Sequence, residues 1–291
     1  RPANAPVTVL MLGLAGGSVV RAAQQFRTDA HFVGIEYEGS VHEEYEGIRL
    51  TKQILERLQR ELARSGAGRL GRGLAGAGGG LGEAYAKLFA QEGASVVVND
   101  LGGNVDGSGG DLSPAQQVVE EIKAMGGEAM AHGADVSDED AVKDMIAQAM
   151  DAWGRIDICV NNAGILMDKT FAKMDMAAFR KVVDVHLMGT ATCCHACWPI
   201  MREQGYGRIV LTASSSGLYG NFGQSNYGAA KMALAGMMQT LSIEGEKYGI
   251  RVNSLAPTAA TRMTEGLMPE AVLKALEPQA VVPAMLVMAC E

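Results

Sequence analysis

The residues best suited to acid–base chemistry are a tyrosine, a lysine and a serine in the second half of the sequence. Tyr227 and Lys231 are four positions apart, so a helix over 227–243 would place both side chains on one face, one turn apart. A phenol with its ordinary pKa near ~10 cannot act as a base close to neutral pH. An ammonium beside it favours the phenolate, so we expect Lys231 to lower the pKa of Tyr227. Together with Ser214, which ends an apolar run, these residues predict a proton-transfer site.

A glycine-rich turn followed by an acidic residue has the spacing of a dinucleotide-binding site. Gly76, Gly80 and Gly82 open a helical stretch, and Asp100 follows the apolar run 94–99, 24 residues after Gly76. Backbone N–H groups at a helix N-terminus can bind a pyrophosphate, and a carboxylate at this spacing can bind the adenosine ribose hydroxyls. Because that carboxylate would repel a 2′-phosphate, the pattern predicts NAD as the cofactor rather than NADP.

Apolar runs alternate with amphipathic stretches along most of the chain. This alternation predicts an α/β fold with a doubly wound parallel sheet of the Rossmann type, which binds its ligand at the carboxyl ends of the strands. Residues 69–74, where the first central strand belongs, include Arg72 and two glycines and are expected to form a poor strand. We also expect a flexible loop over 102–110 and a helix cap at Ser137. Strands are predicted at 95–99, 128–133, 156–160, 208–213 and 250–255. Helices are predicted at 82–91, 113–125, 138–153, 175–187 with a continuation to 204, 227–243, and 278–290.

In these motifs and their order, residues 71–291 resemble the short-chain dehydrogenase/reductase superfamily. The resemblance implies reversible hydride transfer between NAD and a secondary alcohol or ketone, in which Ser214 binds the substrate oxygen, Tyr227 exchanges its proton and Lys231 binds the nicotinamide ribose. Most members have an asparagine that organises a proton relay to the lysine. This chain has His186 at that position, which departs from the family pattern. The cofactor contacts implied by the matched motifs are Gly76, Gly80, Gly82, Asp100, Asp135, Val136, Asn162, Ala163, Gly164, Tyr227, Lys231, Pro257 and Thr261.

Three short segments, 99–103, 219–224 and 262–264, resemble (3R)-hydroxyacyl-CoA dehydrogenase domains. They imply an acyl thioester, a 3-hydroxyacyl-CoA, as the substrate. The substrate contacts are then expected to be Ser214, Asn221 and Gln224. An NADPH-dependent 3-oxoacyl-carrier-protein reductase or general ketone reductase is the alternative within the family, and the acid at the ribose position counts against it. The family also implies a homo-oligomer formed through the long helices.

Residues 1–65 are predicted to be a separate N-terminal unit, followed by the dehydrogenase-like part at 66–291. Two apolar runs at 7–12 and 31–35, joined through a glycine-rich turn, have the pattern of a β-α-β unit, and 43–64 have the spacing of an amphipathic helix. The unit resembles the start of a spermidine-synthase-like or methyltransferase-like fold that binds an S-adenosyl group.

At the other end, we expect the family's last strand to be missing, because the chain stops at Glu291. For the origin and activity of the whole chain, the alternatives are therefore a natural fusion, an inactive fusion fragment and a remnant of an S-adenosyl-dependent transferase.

Composition favours a cytoplasmic enzyme that acts on small molecules. The net charge of −8 argues against nucleic acid and anionic membrane as partners. Five cysteines in 291 residues do not resemble a disulfide framework. Cys193, Cys194, His195 and Cys197 point in different directions on a continuous helix over 184–203, so we predict close helix packing there and no metal site.

Overall fold

The sheet at the centre of the fold has eight strands, and every neighbouring pair is parallel. The computed structural model describes residues 8–12, 31–35, 73–76, 79–110, 112–257 and 278–289. The strands are β1 Thr8–Leu12, β2 His31–Ile35, β3 Gly73–Gly76, β4 Ser95–Asn99, β5 Glu128–His132, β6 Ile158–Asn161, β7 Gly207–Thr212 and β8 Ile250–Ala256. Their order across the sheet is β2-β1-β8-β7-β6-β3-β4-β5. This arrangement confirms the predicted doubly wound α/β fold.

The helices of the described residues lie between these strands and pack on the sheet. A π-helical segment, Asp184–Met188, interrupts the continuous helix predicted over 184–203. Short 3-10 turns lie at Phe171–Lys173, Glu246–Tyr248 and Pro278–Ala280. The helices are α1 Gly80–Gln91, α2 Ser113–Ala124, α3 Glu139–Trp153, α4 Met176–Val183, α5 Gly189–Gln204, α6 Ser215–Tyr219, α7 Ser225–Gly245 and α8 Val282–Ala289.

Strand β4 is packed on both faces. All five of its residues are buried, as expected for a central parallel strand. Val96 and Val98 belong to the core layer that contains Phe89 of α1, whereas Val97 belongs to the opposite layer with Leu234 of α7. The alternation of side chains along a strand therefore joins two hydrophobic layers through one valine run.

Strand β3 lies at the end of the segment 69–74, where a poor strand was expected; residues 69–72 lie outside the described residues. It forms over Gly73–Gly76 and pairs with β4 on one side and β6 on the other. Leu74, for example, is in register with both Val97 and Cys159. Pairing on both edges provides hydrogen-bond partners for the backbone of this four-residue strand, which includes two glycines.

The N-terminal strands extend the sheet beyond β8. Strand β1 pairs with β8 at Leu10 with Leu255 and Met11 with Ala256, and β2 pairs with β1. The predicted strands of the N-terminal unit are thus present and parallel. The turn between them and the helix expected over 43–64 lie outside the described residues, so the division at residue 65 stays a prediction.

The cap of α3 differs from expectation. Asp138, rather than Ser137, caps α3, because its carboxylate accepts hydrogen bonds from the backbone N–H groups of Asp140 and Ala141. The loop expected to be flexible over 102–110 is closed by hydrogen bonds of its own. Within it the Asn104 N–H donates to the Ser108 carbonyl at 2.8 Å. The Lys181 ammonium of α4 also donates to the Gly107 carbonyl at 2.8 Å.

Candidate active site

The carboxyl ends of parallel strands bring most of the predicted site residues to one edge of the sheet. Because all these strands run in one direction, the residues that follow them lie at the same edge. Gly76 ends β3, Asp100 follows β4, Asn162 follows β6, Ser214 comes two residues after β7, and Pro257 follows β8. Thr261, the expected contact of the nicotinamide amide, lies outside the described residues.

Ser214 is positioned by the short helix that it begins. Its hydroxyl accepts a hydrogen bond from the Ser216 N–H at 3.2 Å and so caps α6. Helix α6 lies very close to α7: a Cβ on Gly217 would be 2.8 Å from the Met232 nitrogen, and one on Gly228 would be 3.1 Å from the Ser216 carbonyl. Two glycines therefore allow the approach that places Ser214 next to α7.

Tyr227 and Lys231 both lie on α7, as predicted. The hydroxyl of Ser214 hydrogen-bonds the Tyr227 phenol. Lys231 is buried, its ammonium donates to the Thr212 carbonyl, and its Nζ is 5.6 Å from the centroid of the Tyr227 ring. The structure thus joins the three predicted residues in one cluster at the end of β7.

The electrostatics of this cluster correct one expectation. Burial raises the pKa of Tyr227; the Ser214 hydrogen bond opposes this rise and the charge of Asp168 adds to it. Burial also lowers the pKa of Lys231 to about 7, which weakens its effect as a cation. The predicted lowering of the Tyr227 pKa by Lys231 is therefore wrong for the protein alone. Activation of the phenol needs a further positive charge.

His186 lies in the π-helical segment and is buried against the ring of Tyr227. Its Nε2 is 2.8 Å from the Ile165 carbonyl oxygen and 3.1 Å from the Ile165 nitrogen, so the ring binds the backbone in either neutral tautomer. Burial, with the nearby charge of Lys231, lowers the pKa of His186 to about 3. Its Nδ1 is buried without a hydrogen-bond partner among the described residues. The imidazole is consequently neutral at physiological pH.

Gly164 has a structural role that differs from the expected one. A Cβ at this position would be 2.3 Å from the Cε1 atom of His186, far inside van der Waals contact. The histidine ring fills the space that a side chain would need. The contact with His186 is therefore a sufficient reason for glycine at this position of the cofactor motif.

The expected substrate residues form a chain of hydrogen bonds that ends on an acid. Asn221 donates to the Gln224 side-chain oxygen at 3.1 Å, and Gln224 donates to the Asp168 carboxylate at 2.7 Å. Gln224 is buried, whereas Asp168 and Asn221 are exposed. Sequence reasoning missed Asp168, although its position four residues after Gly164, in the segment that leaves β6, was a usable signal.

The glycine-rich turn and Asp100 provide groups that are suited to binding a nicotinamide dinucleotide. Gly80, the first residue of α1, has a φ of +59°, a left-handed conformation that favours glycine. Its neighbour Gly82 is buried. Asp100 accepts a hydrogen bond from the Gly102 N–H at 2.7 Å, which fixes its carboxylate at the end of β4. A bare helix N-terminus and an oriented acid are the groups that bind pyrophosphate and ribose.

On the expected adenosine side, several predicted residues line one cavity. Val136, Asn162 and Ala163 are among its lining residues, together with Asn99 at the end of β4. Asp135 lies next to them in sequence, and its carboxylate accepts from the N–H and hydroxyl of Ser137 at 2.9 and 2.6 Å. The structure thus brings the residues expected near adenosine together between β4 and β6.

The cysteines of α5 pack in the core, as predicted. Cys193, Cys194 and Cys197 are buried and lie near Cys159 of β6, whereas His195 is exposed. Within the described residues, no group of His, Cys, Asp or Glu side chains is arranged to hold a metal ion. In that same part of the chain, no helix has the length and apolar character that crossing a membrane requires.

Comparisons with known proteins agree with this geometry. The family model described as short chain dehydrogenase matches residues 74–271. A short-chain type dehydrogenase/reductase of Mycobacterium tuberculosis is 52% identical over 72% of this chain and 73% of its own. The peroxisomal hydratase-dehydrogenase-epimerase of Saccharomyces cerevisiae is 52% identical over 73% of this chain, which spans only 23% of that protein. The crystal structure of a short chain dehydrogenase from Mycobacterium avium superposes with a TM-score of 0.66 at 41% identity, over 76% of this chain and 77% of that one.

The chain belongs to the short-chain dehydrogenase/reductase family. It is an oxidoreductase whose fold binds a nicotinamide nucleotide.

Proposed function

We propose that this chain oxidises 3-hydroxyacyl-CoA thioesters, and reduces the corresponding 3-oxoacyl-CoA, with NAD as the cofactor. The observation that carries the proposal is the cluster of Ser214, Tyr227 and Lys231 at the edge of the sheet that also presents Asp100. A thioester substrate is supported by the likeness of the chain to the dehydrogenase part of a multifunctional enzyme. The acid at the end of β4 supports NAD over NADP.

The residues present account for the proton transfer. Ser214 donates a hydrogen bond to the substrate oxygen, and Tyr227 removes the hydroxyl proton. When bound, the nicotinamide ring supplies the hydride acceptor and, in its oxidised form, a positive charge. Tyr227 needs such a charge, because burial raises its pKa in the protein alone. Lys231, with a pKa of about 7, is able both to bind ribose hydroxyls and to exchange a proton near neutral pH.

The first test is a titration with NADH that follows nicotinamide fluorescence, with NADPH and S-adenosylmethionine as comparison ligands. We expect saturable binding of NADH alone, followed by NADH-dependent reduction of acetoacetyl-CoA. Binding of S-adenosylmethionine would support the transferase alternative, and a folded chain that binds no nucleotide would support an inactive fragment. Preference for NADPH would support the reductase alternative.

We further propose a homo-oligomer and a cytoplasmic location. Met232 and Ile243 of α7, and Met188 before α5, are large apolar side chains that remain exposed in the single chain, and contact with a second copy would cover them. Sedimentation of the purified chain tests the oligomer.

The peroxisomal name belongs to the yeast relative, so fractionation of cells that express this chain tests the location.

A further inference from the structure

Two segments meet beside the catalytic tyrosine and hold one acid in place. Residues 167–169 come after β6, and residues 223–226 span the start of α7. The Lys169 N–H donates to the Gly223 carbonyl at 2.9 Å, and the Asn226 side chain donates to the Met167 carbonyl at 3.0 Å. Asp168, between these two bonds, is therefore fixed relative to the start of α7.

The partner of Asp168 is neutral. Gln224 is only 6% exposed and donates to the Asp168 carboxylate at 2.7 Å, while Asn221 occupies its oxygen. Among the described residues, Asp168 forms no ion pair. An amide partner orients a carboxylate without cancelling its charge, so the site keeps a negative charge at this position.

The charge of Asp168 acts on the phenol of Tyr227. Gln224 is three residues before Tyr227, and the carboxylate of Asp168 contributes to the raised pKa of the phenol. Phe171, two residues after the first segment, and Phe222, directly before the second, are 71% and 88% exposed. The two segments thus carry a fixed negative charge and are flanked by exposed aromatic side chains.

We infer that Asp168 is a specificity-determining residue that excludes free 3-hydroxy and 3-oxo carboxylic acids and admits their neutral thioesters. The inference rests on the proposed function. In a free 3-hydroxy acid, the carboxylate is two bonds from the reacting carbon, so binding of the hydroxyl by Ser214 and Tyr227 brings two negative charges close together. A thioester presents an uncharged carbonyl at that position, and its apolar chain suits the aromatic side chains that flank the two segments.

The test compares 3-hydroxybutyrate with its N-acetylcysteamine thioester, which is neutral and lacks the nucleotide of coenzyme A. Asp168→Asn keeps the shape of the side chain and removes its charge. We expect this variant to raise kcat/KM for the free acid by at least about tenfold, with the thioester value changed by less than about threefold. Asp151→Asn, at an exposed position on α3, makes the same charge change elsewhere and should alter neither value.

Two readouts separate a charge effect from loss of structure. Added salt screens exposed charges, so it should raise kcat/KM of the wild type for the free acid and have little effect on the variant. Removing the Asp168 charge should also shift the acid limb of the thioester pH profile to lower pH, because that charge raises the pKa of Tyr227. Equal changes for both substrates, or a wild type without salt dependence, would overturn the inference. Binding of NADH without turnover of any 3-hydroxyacyl thioester would overturn the proposed function instead.

Discussion

The imidazole of His186 meets the ring of Tyr227 edge to face, with centroids 5.0 Å apart and planes at 89°. The same imidazole binds the backbone of Ile165 and fills the space above Gly164. One neutral ring therefore links the segment that follows β6 to the face of α7 that carries Tyr227. Histidine at this position, where most of the family was expected to have an asparagine, binds the Ile165 backbone and also packs against the phenol.

Removing the Tyr227 hydroxyl should abolish most activity and weaken cofactor binding only slightly, because Tyr227 is one of many expected cofactor contacts. In Tyr227→Phe we expect kcat/KM to fall by roughly two to four orders of magnitude, because Tyr227 is the group proposed to exchange the substrate proton. NADH affinity should stay within about threefold. The matched variant Tyr248→Phe, in the 3-10 turn after α7, should keep full activity. Full activity of Tyr227→Phe would contradict the assigned role.

Nucleotide preference should depend on the charge of Asp100. Asp100→Asn keeps an oxygen that can accept from the Gly102 N–H and removes the negative charge. We expect the ratio of Kd values for NADPH and NADH to fall by about tenfold or more, since repulsion of the 2′-phosphate is lost. Fluorescence titration of both nucleotides measures this ratio. An unchanged ratio would mean that Asp100 does not face the ribose.

The contact of Gly164 with His186 should appear as a coupling energy. Gly164→Ala places a Cβ 2.3 Å from Cε1 of the imidazole, so we expect a loss of about 1–3 kcal/mol in the free energy of unfolding. Combining it with His186→Ala should recover part of that loss, as measured by a double-mutant cycle in urea. Gly236→Ala is the control, because a Cβ there meets nothing within 4 Å and alanine favours the helix.

Lys231 should make folding stability rise with pH. Burial lowers its pKa to about 7, far below the value in an unfolded chain. Below pH 7 the ammonium is charged in both states, and its burial opposes folding. Between pH 7 and about pH 10 only the unfolded chain keeps the proton, so stability increases. Relative to Lys231→Met, the wild type should gain about 1–3 kcal/mol in the free energy of unfolding from pH 6 to pH 9.

The thiols of α5 and β6 should be unreactive in the folded protein. Burial raises the pKa of Cys193, and Cys194 and Cys197 are fully enclosed next to Cys159. A buried thiol with a raised pKa provides little thiolate. In a Cys290→Ser background, a disulfide reagent should label none of these four cysteines natively and all of them in urea. Rapid native labelling would mean that this layer opens readily.

Local patterns were sufficient to predict most of the strands and helices and to select the candidate site residues. Strand β4 was predicted at its observed bounds, because a valine run between turn residues has few alternatives. The helix that carries Tyr227 and Lys231 was expected over 227–243 and spans Ser225–Gly245. Their spacing alone placed both side chains on one face, and the parallel strands placed Ser214 at the same edge.

Burial and packing between distant segments were decided only by the tertiary structure. The spacing of the residues does not predict that burial raises the pKa of Tyr227 and lowers that of Lys231. Desolvation depends on atoms that other strands and helices place around these groups. Strand β3 has too few apolar side chains to identify itself, and forms because β4 and β6 pair with both of its edges. Asp168 became part of the site only when the segment after β6 met the start of α7. The sequence by itself determined which groups are candidates for the chemistry, and the tertiary structure decided their charges and neighbours.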